Sequence, residues 1–276
     1  MKMNKLTASI FLATSALTIA VAHAEDCKPK HEVTTVEPGF ITVGAVPFAP
    51  FSIIDKDGNV QGIDADILTE IAKMECLKLK TLPTEAAAGI QTIVSGRADV
   101  SSGAWYRTKE RTRVVDLSAP LYLDQMAVFS KAGTTKLPEL EGKQVGSVQG
   151  NLWVSDLQKV FGSNLKLYPT AVAMHQDLMA GRLDAAFDGY STGISALKSG
   201  SLTGIQVKVI EPDDRIRASK EAGQGAFPMS KKNKALGAAI DENIAVLHKN
   251  GKIAEILVKH GLEASAGDTG AARLIE

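Results

Sequence analysis

The chain has 276 residues, 31 basic and 31 acidic side chains and a formal charge of zero near neutrality. That balance leaves no basic surplus for nucleic acid or for an anionic membrane surface. The length suits one large domain or two lobes of ordinary size, each able to bury its own core.

In chain order, residues 1–24 read as a secretory leader. Lys2 and Lys5 form a positive start, Leu6 to Val21 is mostly apolar, and Ala22-His23-Ala24 is an A-x-A cleavage site. No other stretch approaches the ~20 apolar residues that a membrane span needs, so the rest of the chain is expected to be exported. Glu25 and Asp26 argue against lipid attachment at Cys27, where small apolar residues should precede the cysteine. Cys27 and Cys76 are the only cysteines. In an exported chain they are expected to form a disulfide rather than a metal or redox site. Such a bridge would pin the N-terminal tail to the end of the helix that starts near Asp64.

Phe40 to Val46 alternates apolar residues and predicts a strand, ended by Pro47-Phe48-Ala49-Pro50-Phe51. Ser52-Ile53-Ile54 and Val60-Gln61 flank a turn and predict a hairpin. Ile67, Leu68, Ile71 and Met74 have helical spacing, so Asp64 to Met74 is expected to be a helix, with Asp64 and Asp66 capping its start. A strand at Leu77 to Leu82, a helix at Gly89 to Ser95 and a strand at Ala98 to Val100 complete a β-α-β-α-β unit. The rhythm repeats with strands at Lys143 to Val148, Leu165 to Tyr168 and Leu183 to Phe187. The helices between and after them run from Gly150 to about Phe161, Met174 to Ala180 and Thr192 to Leu197, and a last strand covers Val207 to Ile210. Gln224 to Pro228 reads as a return strand. Asn233 to His260 is amphipathic and broken at Asn250-Gly251. The alternation predicts two α/β lobes, each a three-layer stack. Their expected extents are 25–130 plus 226–265 for lobe 1 and 134–222 for lobe 2. The crossovers are expected at Ser130 to Thr134 and Ala222 to Ala226, and 266–276 as a flexible tail.

The most informative stretch is Ser101 to Tyr122, SSGAWYRTKERTRVVDLSAPLY. A small-residue and aromatic loop follows a buried strand, and Thr108-Lys109-Glu110-Arg111 carries a helix-start signature. A guanidinium beside free backbone N–H groups suits the grip of a carboxylate by two parallel hydrogen bonds. Isolated, Arg111 would read as a solvated surface charge. With Asp99 before it and Leu117-Ser118-Ala119-Pro120-Leu121-Tyr122 after it, the string resembles the family-3 periplasmic solute-binding proteins, the amino-acid receptors of ABC importers. Gly62-x-Asp64-x-Asp66, Gln149-Gly150 and Asn250-Gly251-Lys252 extend the resemblance over about Phe40 to Leu262.

The resemblance implies a type II periplasmic-binding-protein fold with three-layer α/β lobes joined by a two-strand hinge. It also implies a small carboxylate ligand, an inner-membrane ABC permease as partner, no cofactor, no metal and a monomer. Carried over, Arg111 holds the ligand carboxylate, the N–H of Gly150 or Asn151 meets the ligand from lobe 2, and Phe48 forms an aromatic wall. Three positions depart from the family pattern. Tyr106 stands where Ser or Thr is usual, Gly189 stands where an Asp would clamp an ammonium, and Ala86 stands where a second aromatic wall would fall. Asp188 is then the candidate clamp, and Trp105, Tyr106 and Trp153 are candidates to rebuild the wall, with one of the three expected to serve packing instead. Arg107 is a candidate second cation. The departures favour a bulkier or substituted amino acid, an opine-like conjugate or a zwitterionic osmolyte.

Two enzymatic readings compete. Gly189-Tyr190-Ser191-Thr192-Gly193 matches G-x-S-x-G between a strand and a helix, with Asp213 and His248 following in hydrolase order. A periplasmic cyclohexadienyl dehydratase would resemble the same fold family. Beyond the expected leader, the histidines at 31, 175, 248 and 260 are too scattered to suggest zinc.

Overall fold

The computed structural model describes residues 27–275; the expected leader and its cleavage site lie outside them. The first unit is built from β1 (Phe40–Ala45), the hairpin β2 (Ile53–Ile54) and β3 (Val60–Gln61), α1 (Ile63–Met74), β4 (Lys78–Pro83), α2 (Gly89–Val94) and β5 (Val100–Ser102). Three short strands follow: β6 (Trp105–Tyr106), β7 (Asp116–Leu117) and β8 (Leu123–Asp124). The second unit contains β9 (Met126–Ser130), β10 (Val145–Val148), α3 (Val154–Phe161), β11 (Leu165–Tyr168), α4 (Ala171–Met179), β12 (Ala185–Gly189), α5 (Tyr190–Lys198) and β13 (Gln206–Val209). The chain returns through β14 (Gly223–Ala226) and β15 (Pro228–Met229) to α6 (Lys234–Lys249) and α7 (Lys252–Lys259).

Each unit has its own five-stranded sheet, ordered β4-β1-β5-β15-β7 and β11-β10-β12-β9-β13. In both, the first βαβ strands pair in parallel in the order second, first, third, and the fourth strand is antiparallel. These are the two similar lobes that the repeated rhythm predicts. Strands fully buried on both faces need apolar or small residues throughout. β1 supplies FITVGA and β12 supplies Ala185, Ala186 and Phe187, with only Asp188 polar among its side chains. The lobe 1 core packs Ile67, Leu68 and Ile71 of α1 and Ile240 and Ile244 of α6 around Ile41 and Val43.

A third, antiparallel sheet, β6-β14-β8, joins the lobes. Its β8 and β14 are the two hinge strands. This moves one expected boundary. Met126–Ser130 is a strand of the lobe 2 sheet, so the first crossing lies at Leu123–Asp124 and not at Ser130 to Thr134. Gly223 and Gly225 let two rings lie against β14. A Cβ at either would stand 2.5 Å from the Tyr106 ring or 2.4 Å from the Tyr122 ring.

The cysteines are bridged, with Cα atoms 5.7 Å apart, which fastens the N-terminal tail just past α1. His31 reinforces the bridge by binding Glu75 through both its backbone N–H and its ring. Neither Asp64 nor Asp66 caps α1 through its side chain, contrary to expectation. Asp64 turns inward to accept the N–H groups of Gly103 and Ala104 and the Tyr122 hydroxyl, and Asp66 pairs with Lys259 and His260.

The C-terminal tail also departs from expectation. Residues 264–275 run back across the hinge under hydrogen bonds from Gln224 and Arg107, and Ile275 is buried. Exposed loops fray because their backbone is solvated; here the backbone groups are paired.

Candidate functional site

A cleft between the lobes is lined from lobe 1 by Val46, Pro47, Phe48, Glu85, Ala86, Gly103, Ala104, Trp105, Tyr106 and Arg111. Val148, Gly150 to Trp153, Pro169 and Thr170 line it from lobe 2. Six of the seven residues expected at the binding site lie on it: Phe48, Trp105, Tyr106, Arg111, Gly150 and Asn151.

Arg111 is set differently from the sequence expectation. It begins a single 3-10 turn, Arg111–Arg113, instead of an α-helix, and its own N–H is taken by the Thr108 hydroxyl. Its guanidinium stands over the Trp105 ring, 4.8 Å from the centroid, and donates one hydrogen bond, 2.7 Å, to the Tyr106 carbonyl. Among the described residues it forms no ion pair with a carboxylate. Burial pulls its pKa down to about 10, so the cation is retained at neutral pH but poorly solvated. An arginine has five N–H donors in a rigid fork, and one contact leaves an edge free for an anion.

The aromatic residues do not divide into wall and packing as expected; each does both. Trp105 and Trp153 are almost fully buried and pinned through their indole N–H groups to Ser101 and Ser147, at 2.9 Å each. Tyr106 meets Trp153 edge-on, 6.1 Å between centroids, and donates its hydroxyl to Asp124. The cleft therefore has four aromatic faces, counting Phe48, in place of the one missing at Ala86. Ala86 has another use: a Cβ at Gly150 would lie 3.7 Å from the Ala86 Cβ, so the lobes meet there at small-residue distance.

Gly150 and Asn151 do not open a helix. They form a turn before α3, which starts at Val154, and the Asn151 N–H is spent on the Val148 carbonyl. The Gly150 N–H is the one of the pair that meets no acceptor among the described residues.

Asp188, the seventh residue, is fully buried and is not part of the lining. It accepts from the Gly189 N–H and the Asn151 side-chain amide, so it touches the cleft only through Asn151, and its Oδ2 has no partner among the described residues. Burial, aided by the nearby Asp124 carboxylate, raises its pKa to about 7. The space that a side chain at Gly189 would need is taken by Asp124, whose Oδ2 would be 2.5 Å from a Cβ there. Asp124 is itself closed off by Tyr106 and by Ser191, and burial raises its pKa. Glu85, exposed at the rim, is the only acidic residue in the lining. Sequence reasoning missed it, together with Thr170 and Leu152, because none belongs to a motif. Arg107 is also displaced from its expected place: it lies off the cleft, bonded to the carbonyls of Leu117, Ser118 and Arg273.

The G-x-S-x-G residues do lie at the junction of β12 and α5, but the expected triad does not assemble. Ser191 donates to Asp124, the His248 ring bonds the Pro120 carbonyl, and Asp213 pairs with Arg215. No group of three metal-ligating side chains occurs among the described residues.

The solved structures similar to this fold include a substrate-binding protein of an ABC uptake transporter from Streptococcus pneumoniae with bound histidine. It has a TM-score of 0.73 and 21% identity, over 83% of this chain and 94% of that one. An ancestral arginine-binding protein bound to arginine has a TM-score of 0.71 and 25% identity, over 81% and 98%. By sequence, the chain is 25% identical to the L-cystine-binding protein TcyJ of Escherichia coli over 226 residues, 79% of this chain and 80% of that one. It is 26% identical to the probable amino-acid-binding protein YxeM of Bacillus subtilis over 94% and 96%. Residues 41–263, nearly all of the two lobes, match the model of the bacterial extracellular solute-binding proteins, family 3, and this chain belongs to that family.

Proposed function

We propose that the protein is the monomeric periplasmic receptor of an ABC importer, closing its lobes on a small carboxylate-bearing solute, an amino acid or amino-acid derivative. The observation that carries this reading is Arg111. It is a cation held between the lobes, fixed on Trp105 and Tyr106, with one edge unmatched by any carboxylate of the described residues. The named relatives, binding proteins for cystine and amino acids, support the solute class. Closure would present one shape to the permease, and the ligand would raise the population of that shape by its extra contacts in the closed state.

The same reading favours a substituted or bulky ligand over a plain small amino acid. Asp124 and Asp188 are both turned to other partners, and Glu85 at the rim is the lining's one carboxylate. Calorimetric titration with L-cystine, L-histidine, L-arginine, alanine and serine tests both parts. Failure of all five to bind overturns the amino-acid receptor. Tight binding of alanine and serine overturns the substituted ligand alone. Turnover of prephenate or arogenate would overturn the assignment as a receptor without catalysis.

A further inference from the structure

The loop that carries Arg111 does not hold itself. Between Tyr106 and Lys109 its backbone is paired on two sides. On one side β14 takes it: Tyr106 pairs with Gly225, and the Arg107 N–H donates to the Gln224 carbonyl, 2.9 Å. On the other side lies the C-terminal segment: the Ile275 N–H donates to the Arg107 carbonyl and the Lys109 N–H to the Ile275 carbonyl, 3.0 Å each. Gln224, 1% exposed, links the two supports. Its side-chain amide donates to the carbonyls of Thr269 and Ala271 at 2.9 and 2.8 Å, and its Oε1 accepts the Arg273 N–H at 2.8 Å. Arg273 closes the lattice by donating to the Ala222 carbonyl, 2.5 Å, and its own carbonyl receives Arg107 Nε.

Ile275 also joins the apolar cluster that includes Tyr106, Trp153, Ile216 and Ala218, two of them cleft walls. A tail with no task would have neither a buried polar anchor nor a buried apolar end.

We propose that residues 267–275 are a strap that completes the binding cleft, with Gln224 and Ile275 as positioning residues that fix the Arg107–Lys109 backbone and thereby aim the Arg111 guanidinium. The proposal rests on Arg111 as the ligand's anchor, but its structural half can be measured without ligand. The Trp105 indole N–H is bonded to Ser101, away from the strap, and its ring lies under the Arg111 guanidinium, so its NMR resonance reports how that guanidinium sits.

The experiment compares the mature chain, the same chain ended at Gly267, and Gln224→Ala in the full chain. The expected result is a shifted and broadened Trp105 indole signal in both variants. A synthetic peptide of residues 268–276 should restore that signal in the shortened chain. Affinity for whichever of L-cystine, L-histidine and L-arginine the parent binds should fall about tenfold or more, the size expected when two or three hydrogen bonds that orient the anchor are lost.

An unchanged indole signal in the shortened chain overturns the strap. So does unchanged affinity alongside a shifted signal, since the strap would then be structural only. If the shortened chain does not melt cooperatively, Gln224→Ala decides by the same two readings. If the parent binds none of the three, alanine and serine take their place in the affinity reading; if all five fail to bind, the receptor reading fails separately, while the indole signal and its restoration by peptide still decide the strap.

Discussion

Replacing Arg111 by Met tests the cleft most directly, because binding and stability should move in different directions. The guanidinium spends one donor on the Tyr106 carbonyl and one face on Trp105, and its free edge offers a carboxylate two charge-assisted hydrogen bonds. Such bonds contribute about 1.5–3 kcal/mol each, so their loss removes about 3–6 kcal/mol, or roughly 10²–10⁴ in affinity. In the unliganded protein the cation has no carboxylate partner among the described residues, and burial lowers its pKa to about 10, the mark of a charge that gains little from its surroundings. Met has the length to cover Trp105 without that desolvation. The apo protein's melting temperature should therefore stay level or rise. Arg111→Lys, which keeps the charge and loses the fork, should fall between the two in affinity. Both tryptophans of the chain line the cleft, so intrinsic fluorescence can follow binding beside calorimetry. Unchanged affinity in Arg111→Met, or a large drop in its melting temperature with binding intact, would refute the reasoning and make Arg111 a structural residue.

Two further outcomes are expected. The disulfide closes a span of 49 residues, for which the loop-entropy argument gives about 4 kcal/mol; reduction, or Cys27→Ser with Cys76→Ser, should lower the melting temperature with binding retained, and a melting temperature insensitive to reductant would show that the tail contacts around His31 suffice alone. Asp188 has a folded-state pKa of about 7 against an ordinary value near 4, so the folded state binds the extra proton and stability falls as pH rises between about 4 and 7. Asp188→Asn should remove that decline, making the variant more stable than the parent at pH 8 and not at pH 4; parallel pH–stability curves measured by denaturant titration would contradict it.

The Ser101 to Tyr122 string and the repeated β-α-β-α-β rhythm were enough to place two lobes and put Arg111 between them. They succeed because they encode local facts. Period-2 and period-3.6 burial patterns follow from strand and helix geometry whatever the partner, and the Thr108 hydroxyl reaches the Arg111 N–H three residues on. The bridge between Cys27 and Cys76 was legible for a different reason, since the chain's two cysteines, read with the expected leader, have only each other.

What the sequence could not decide depends on contacts between distant residues. Asp64 looks like a helix cap, but Gly103, Ala104 and Tyr122 outbid the helix end for its carboxylate. Asp188 looks like a ligand clamp beside an empty Gly189, but Asp124 from the hinge fills that space and Asn151 takes Asp188. Residues 266–276 are rich in Gly, Ala and polar groups and read as a frayed tail; Gln224, more than 40 residues earlier, binds Thr269, Ala271 and Arg273. The sequence by itself thus determined the two lobes, the disulfide and the arginine. Only the tertiary structure decided which carboxylates are free, where the hinge begins and what the C-terminus does. Burial compels every polar group to find a partner, and that partner is chosen by position in space, not by distance along the chain.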